Sequence, residues 1–285
     1  MEIAAALEYV RKHALEAFVV TRAGEVLAQE YAAGFGPTAP HALYSGTKSF
    51  WGAAARYAQA DGLLELDEPV ADTVASWRDD PWKRRVTLRM LLALTAGFGF
   101  GGLGKAVPTY DRALALALKN EPGSTFTYGG IALQVFGAVL ARKLEPRKRT
   151  PQQYLFERVL DPAGVAVAAW RTLADGTQPL PTGASLTAPN WLAYGRFILR
   201  ERGALGDCFR GSPANPRYGL GWWLGGPAEA PSDLAYASGS GGQALYLVPS
   251  LDLAVVHYGR SASYKHDALL KRLFRAKSSL RPRAV

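Results

Sequence analysis

The sequence predicts an α/β fold in which strands from both ends of the chain share one antiparallel sheet, with flanking helices and a helical lobe between the ends. Three observations predict it. A hairpin pattern lies near the start, amphipathic and alanine-rich helical stretches fill the middle, and strand patterns return after about residue 217. Strands at opposite chain ends can pair in one sheet, and the intervening helices then form the second side of a cleft, where ligand sites are common.

The elements follow in order. Met1 to Val20 begins helix-like and turns strand-like. FVVTR and EVLAQEY flank Ala23-Gly24 and read as a hairpin over Ala17 to Tyr31. Ser45 to Ala60 reads as a helix with Ser45 as its cap and Ala53, Ala54, Ala55 and Ala58 suited to close packing. Further helices are expected at 87–95, 109–119, 128–144, 151–160 and 187–202, separated by Pro and Gly. YGLGWWL, QALYLVP and DLAVVHY read as strands. Lys265 to Lys277 closes the chain as a helix, with Leu269, Leu270, Leu273 and Phe274 on one stripe. The organisation expected is one domain over 1–285, with an α/β lobe from 1–44 and 205–285 and a helical lobe from 45–204.

Composition narrows the function classes. The chain of 285 residues is 48% hydrophobic and 20% charged, an ordinary globular balance. Its one cysteine, Cys208, excludes an internal disulfide and a cysteine metal cluster. His13, His41, His257 and His266 include no helical metal pair, so no metal is expected. The net charge of +9 collects at Lys83-Arg84-Arg85, Arg142 to Arg149 and Lys271 to Arg283. These runs read as solvated helix ends and a basic tail, with nucleic acid or an anionic membrane surface as the alternatives. No aromatic–basic interleaving of the stacking kind points to nucleic acid. Glu2, Glu8 and Glu16 interrupt the start, which lacks the form of a signal peptide, and no run approaches a membrane span. The expectation is a soluble, cytoplasmic protein, or an exported one if a signal was removed upstream.

Three segments carry chemistry. Ser45-Gly46-Thr47-Lys48 is an S-x-x-K, which places a lysine one turn from a serine hydroxyl. A lysine acting as base there needs its pKa brought from about 10.4 to about 7, which an apolar helix favours by desolvation. Phe126-Thr127-Tyr128-Gly129-Gly130 sets a tyrosine at the start of a helical run. Ala237-Ser238-Gly239-Ser240-Gly241-Gly242-Gln243 joins two strands, and its glycines allow close backbone approach. Each has a bland alternative: a capped helix with a solvated lysine, an aromatic staple, and a plain glycine hairpin. Gly99 to Gly104 matches G-x-G-x-x-G and, with Lys105, most of a phosphate loop. Ala106 stands where a hydroxyl is needed, Pro108 interrupts the following helix, and the preceding segment reads as helix, so nucleotide binding is not expected. His257, in an apolar strand, reads as a packed core histidine rather than a triad base.

In this order the three segments resemble the serine β-lactamase and penicillin-binding-protein superfamily, and within it the class C β-lactamase-related hydrolases, which include esterases, D-amino-acid amidases and peptidases, and 6-aminohexanoate-dimer hydrolases. The resemblance runs through DGLLELDEPV, VTLRMLLALTAG, FTYGGIALQVFGAVL, YLFERVLDPAGV, YGLGWWL and SGSGGQALYLVPSLDLAVV. It implies a β-lactamase-like fold, Ser45 as acylated nucleophile, Lys48 as its base, and Tyr128 as second proton carrier. It also implies an oxyanion hole from the backbone N–H groups of Ser45 and Ser240, substrate contacts at Gly239 and Gly130, no cofactor, and a small ester or amide as partner. Two departures stand out. Gly130 replaces an asparagine found in many members, and Ala237-Ser238-Gly239 replaces Lys-Thr-Gly or His-x-Gly. Both argue against efficient β-lactam recognition. A peptidoglycan-directed peptidase, a weak β-lactamase and a non-catalytic binding protein remain the alternatives, and the oligomeric state is open.

Overall fold

The computed structural model describes residues 1–275. The run LEAFVVTR forms β1 (Leu15–Arg22), buried along nearly its whole length, as expected of a strand covered on both faces. It turns at Ala23 and Gly24, both at positive φ, into β2 (Glu25–Tyr31), whose charged, largely exposed residues protect the sheet edge. Two short strands, β3 (His41–Ala42) and, much later, β4 (Ala169–Trp170), flank β5 (Ala184–Leu186) in a small second sheet. The remaining strands are β6 (Trp223–Leu224), β7 (Ala235–Ser238), β8 (Ala244–Val248) and β9 (Leu253–Gly259). Among the described residues they complete an antiparallel sheet of order β2-β1-β9-β8-β7-β6. The two chain ends therefore meet at β1–β9, as the sequence predicts.

The helices are α1 (Ile3–Arg11), α2 (Ser49–Ala60), α3 (Val70–Thr73), α4 (Leu88–Leu92), α5 (Tyr110–Ala115), α6 (Ile131–Leu144), α7 (Pro151–Leu155), α8 (Ala188–Arg200) and α9 (His266–Phe274). α1 and α9 pack together on one face of the sheet over Phe18, Val20, Tyr246 and Val255. α8 covers the other face, where Gly195 lets it approach Leu245 and Leu247 closely, and the larger core continues from there through α2 and α6.

Several boundaries differ from the sequence expectation, for physical reasons. The helix expected from Ser45 begins at Ser49, because Tyr44–Lys48 winds as a tighter 3₁₀ turn. The helix expected from residue 128 begins at Ile131, because Gly129 and Gly130 are held against Gly101 by a bridge and by the Gly130 N–H to Gly101 O bond of 2.9 Å. The stretch 151–160 finishes as a π turn over Phe156–Leu160. Of YGLGWWL only Trp223–Leu224 pairs as a strand. Gly221, at φ +85°, turns back so closely on the Lys48 carbonyl that a Cβ would lie 2.4 Å from its oxygen. The closing helix is described to Phe274, and residues 276 and 277 of that expectation lie outside the described residues. His257 is fully buried, its Nδ1–H donates to Gly242 O at 2.6 Å, and its ring stacks on Tyr264; burial lowers its pKa to about 4.

Candidate active site

The 3₁₀ turn places Ser45 and Lys48 in register. With about three residues per turn, positions i and i+3 eclipse, which aligns the two side chains more directly than an α-helix does. Lys48 Nζ lies 2.8 Å from Ser45 Oγ. Tyr44 enters the turn at φ +47°, a left-handed conformation uncommon for a tyrosine and a local strain beside the serine. Thr47 Oγ1 donates to Tyr44 O at 2.7 Å and Ser49 Oγ to Gly46 O at 2.8 Å, which ties the turn to α2.

Lys48 is buried to 1% exposure, and among the described residues no carboxylate pairs with it. Its second contact is the carbonyl of Pro181, 3.2 Å away. That segment is fixed by Trp51 Nε1–H donating to Leu180 O at 2.7 Å and by Gln134, which accepts from Leu180 N–H at 2.8 Å and donates to Pro108 O at 2.7 Å. Burial without a counter-ion lowers the Lys48 pKa to about 7. Near neutral pH a large share of the amine is therefore uncharged and can accept the Ser45 proton. Lys48 Nζ also sits 4.8 Å from the centre of the Tyr128 ring. Burial raises the Tyr128 hydroxyl pKa, and the neighbouring Ser45 hydroxyl opposes that rise.

The third segment comes to the same place through close backbone approach. Gly239, just after β7, passes so near the Leu43 carbonyl that a Cβ would lie 2.1 Å from its oxygen. This packs β7 on the Ser45 turn and sets Ser240, first residue of a 3₁₀ turn, on the same cavity as Ser45. Ser45 and Ser240 each stand at the start of a turn, where the N–H has no partner within the turn, and among the described residues neither N–H bonds a backbone carbonyl elsewhere. Ser45, Tyr128, Gly239 and Ser240 all line one cavity of about 430 Å³, which Leu103, Trp223, Tyr236, Ser238 and His266 complete.

Gly130 is the expected site residue that the structure keeps out of this cavity. It is buried under the glycine-rich segment, where a Cβ would lie 2.0 Å from Gly102 O and 2.8 Å from the Pro181 ring. The segment that imitates a phosphate loop instead packs over the tyrosine motif and delivers Leu103 to the cavity wall. Gly130→Asn is accordingly expected to install no substrate contact. It should displace the 99–104 segment and lower stability by about 1–3 kcal/mol, the usual cost of overpacking, measured as a fall in urea midpoint.

The aromatic wall was not legible beforehand. Trp223 stacks on Tyr128 at 5.6 Å and 26° and on Tyr236 at 6.5 Å and 19°. Tyr236 in turn meets His266 at 5.0 Å. The GWWL run reads in the sequence only as part of a strand, and nothing there ties the first residue of the last described helix to a serine over two hundred residues away. Among the described residues the cavity lining contains no lysine or arginine; Arg260 faces an adjoining depression past Ser240 and pairs with Glu16. No group of described residues could hold a metal ion, and no described helix is long and apolar enough to cross a membrane.

A serine and a tyrosine lining one cavity, a buried lysine of lowered pKa in contact with that serine, and a sheet joining both chain ends together define the serine hydrolases of the β-lactamase type. The chain belongs to the beta-lactamase family, whose model matches residues 12–197. Its fold is similar to that of a protein from Bacillus anthracis assigned as a 6-aminohexanoate-dimer hydrolase (TM-score 0.76, 18% identity, 92% of this chain and 77% of that one). It is equally similar to EstCE1, a hydrolase with promiscuous acyltransferase activity (TM-score 0.76, 18% identity, 96% and 97%). A D-stereospecific amidohydrolase from Streptomyces shares the fold as well (TM-score 0.73, 16% identity, 96% and 99%). No curated protein matches the chain in sequence.

Proposed function

We propose that the protein is a serine acyl-hydrolase that cleaves small, uncharged esters or amides through an acyl-enzyme on Ser45. The observation that carries this reading is the 2.8 Å contact between Ser45 Oγ and a buried Lys48 whose pKa is near 7. Lys48 takes the Ser45 proton as Oγ attacks the carbonyl carbon. The N–H groups of Ser45 and Ser240 receive the negative charge on the carbonyl oxygen. Tyr128 passes a proton to the departing alcohol or amine. Water then attacks the acyl-enzyme, gives up its proton by the same route, and frees Ser45. Esterase and amidase relatives in fold support this class of substrate.

Intact-mass measurement after exposure to a fluorophosphonate tests the nucleophile: a single adduct located on Ser45 is expected, and an unmodified protein would favour a non-catalytic binding role. Tyr128→Phe should slow turnover by about 100-fold or more, with far less than a multiplied effect when combined with Lys48→Ala, because the two groups act as one unit. An unchanged rate would reduce Tyr128 to a wall residue.

The cavity lining also sets substrate choice. A penicillin carries a carboxylate beside its reactive amide, and a charge-assisted hydrogen bond contributes about 1.5–3 kcal/mol, so a lining without a cation should weaken transition-state binding by roughly 10- to 150-fold. Nitrophenyl butyrate should therefore show a higher kcat/KM than nitrocefin; the reverse order would overturn the uncharged-ester reading.

A further inference from the structure

The acyl-hydrolase chemistry leaves one chain of hydrogen bonds in the cavity unused. Ser238 Oγ lies 2.9 Å from His266 Nε2, His266 Nδ1 lies 2.6 Å from the Tyr246 hydroxyl, and that hydroxyl lies 2.7 Å from the hydroxyl of Tyr264. Ser238 and His266 both line the cavity, while Tyr246 and Tyr264 are buried behind them. We propose that His266 is a positioning residue that turns the Ser238 O–H into the cavity, so that the pair selects substrates bearing a neutral carbonyl oxygen, such as an amide, near the carbonyl attacked by Ser45. This deepens the acyl-hydrolase reading and rests on it.

The direction of the chain follows from counting donors. The Tyr264 hydroxyl has Tyr246 as its partner among the described residues. If Tyr246 donated to Tyr264, the Tyr264 proton would be buried with no acceptor, which is costly. Tyr264 therefore donates to Tyr246, and Tyr246 donates to Nδ1. A neutral imidazole that accepts at Nδ1 carries its proton on Nε2 and donates it to Ser238 Oγ. The Ser238 proton is then left for the cavity. Burial lowers the His266 pKa to about 4, so the ring is neutral across the working range; the adjacent Asp267 acts in the other direction. The acid and the base that act on Tyr236, Asp267 and Arg217, have opposite signs. A neutral carbonyl needs one donor and no counter-ion, which is what this wall offers. A carboxylate needs more.

Nitrophenyl esters of N-acetylglycine and of pentanoic acid have acyl chains of equal length and differ in the amide. The quantity to measure is the ratio of their kcat/KM values, because intrinsic reactivity cancels when variants are compared. Ser238→Ala and His266→Leu should each lower the ratio about 3- to 10-fold, the scale of one neutral hydrogen bond. The double variant should fall no further than either single one. His266→Gln should restore most of the ratio, since one amide can accept from Tyr246 and donate to Ser238. A merely structural His266 would slow both esters alike and leave the ratio unchanged, and that result overturns the proposal. Multiplying effects in the double variant, or preference for the mono-nitrophenyl ester of glutaric acid over the N-acetylglycine ester, overturn it too. Should His266→Leu fail to fold, Ser238→Ala and His266→Gln carry the comparison. Fluorophosphonate labelling of Ser45 alongside separates the two readings. Labelling with an unaltered ratio overturns the His266 assignment alone, whereas an unlabelled, inactive wild-type chain overturns the hydrolase reading.

Discussion

Ester hydrolysis by Ser45→Ala should fall to the rate of buffer, a loss of about 1000-fold or more, while the protein stays folded. In the proposed mechanism Ser45 supplies the atom that bonds to the acyl group, and the cavity lining offers no equivalent one. Ser238 and Ser240 line the same cavity, but Ser238 Oγ bonds a neutral histidine, and neither serine contacts Lys48. The structural cost is small. Removing the hydroxyl deletes one partly buried hydrogen bond with Lys48, about 0.5–1.5 kcal/mol at most. Activity against nitrophenyl butyrate and the thermal midpoint should be measured on one preparation. A few per cent of wild-type activity surviving in a clean, folded Ser45→Ala sample would exclude this mechanism.

Lys48→Met should reduce turnover at least about 100-fold and, at the same time, make the protein more stable at pH 7. The two effects share one cause. The unfolded chain holds a proton on this lysine up to about pH 10.4, whereas the folded chain sheds it near 7, so below that value a charge is buried at a cost. At pH 7 the cost approaches about 4 kcal/mol for a fully buried group, from a shift of about three units. Methionine removes it but leaves the Pro181 carbonyl without its donor, which costs about 1–3 kcal/mol. The net expectation is a gain of about 1–3 kcal/mol in urea unfolding at pH 7. The sign fixes a pH dependence. Between 7 and about 10.4 the unfolded wild-type chain binds more protons than the folded one, so wild-type stability rises with pH and the advantage of the variant shrinks. Wild-type kcat/KM should likewise climb through a pKa near 7 as Lys48 loses its proton. A variant destabilised at pH 7, or a rate flat from pH 5 to 8, would show that Lys48 remains charged.

How much of this was legible in the sequence depends on how local the cause is. The hairpin around Ala23-Gly24, the β-rich end and the amphipathic last helix were legible because periodicity and turn chemistry act over a few residues. The serine–lysine spacing was legible for the same reason. The 3₁₀ winding of that turn was not, because Gly46 against the Trp191 ring and Gly221 against the Lys48 carbonyl belong to distant segments.

The sequence by itself determined the sheet from two chain ends and the three motif segments, since each is written in contiguous residues. It also contained two substitutions, at Gly130 and at Ala237-Ser238-Gly239, whose consequences depend on surroundings. Only the tertiary structure decided those consequences. Gly130 is a steric necessity because the Gly102 carbonyl occupies the space of a side chain. The empty place at the end of β7 is met by His266 from another element, held neutral by burial. Desolvation of Lys48, which lowers its pKa, is likewise a property of everything packed around it. Burial and steric exclusion are sums over neighbours from the whole chain, and no short stretch of sequence contains them.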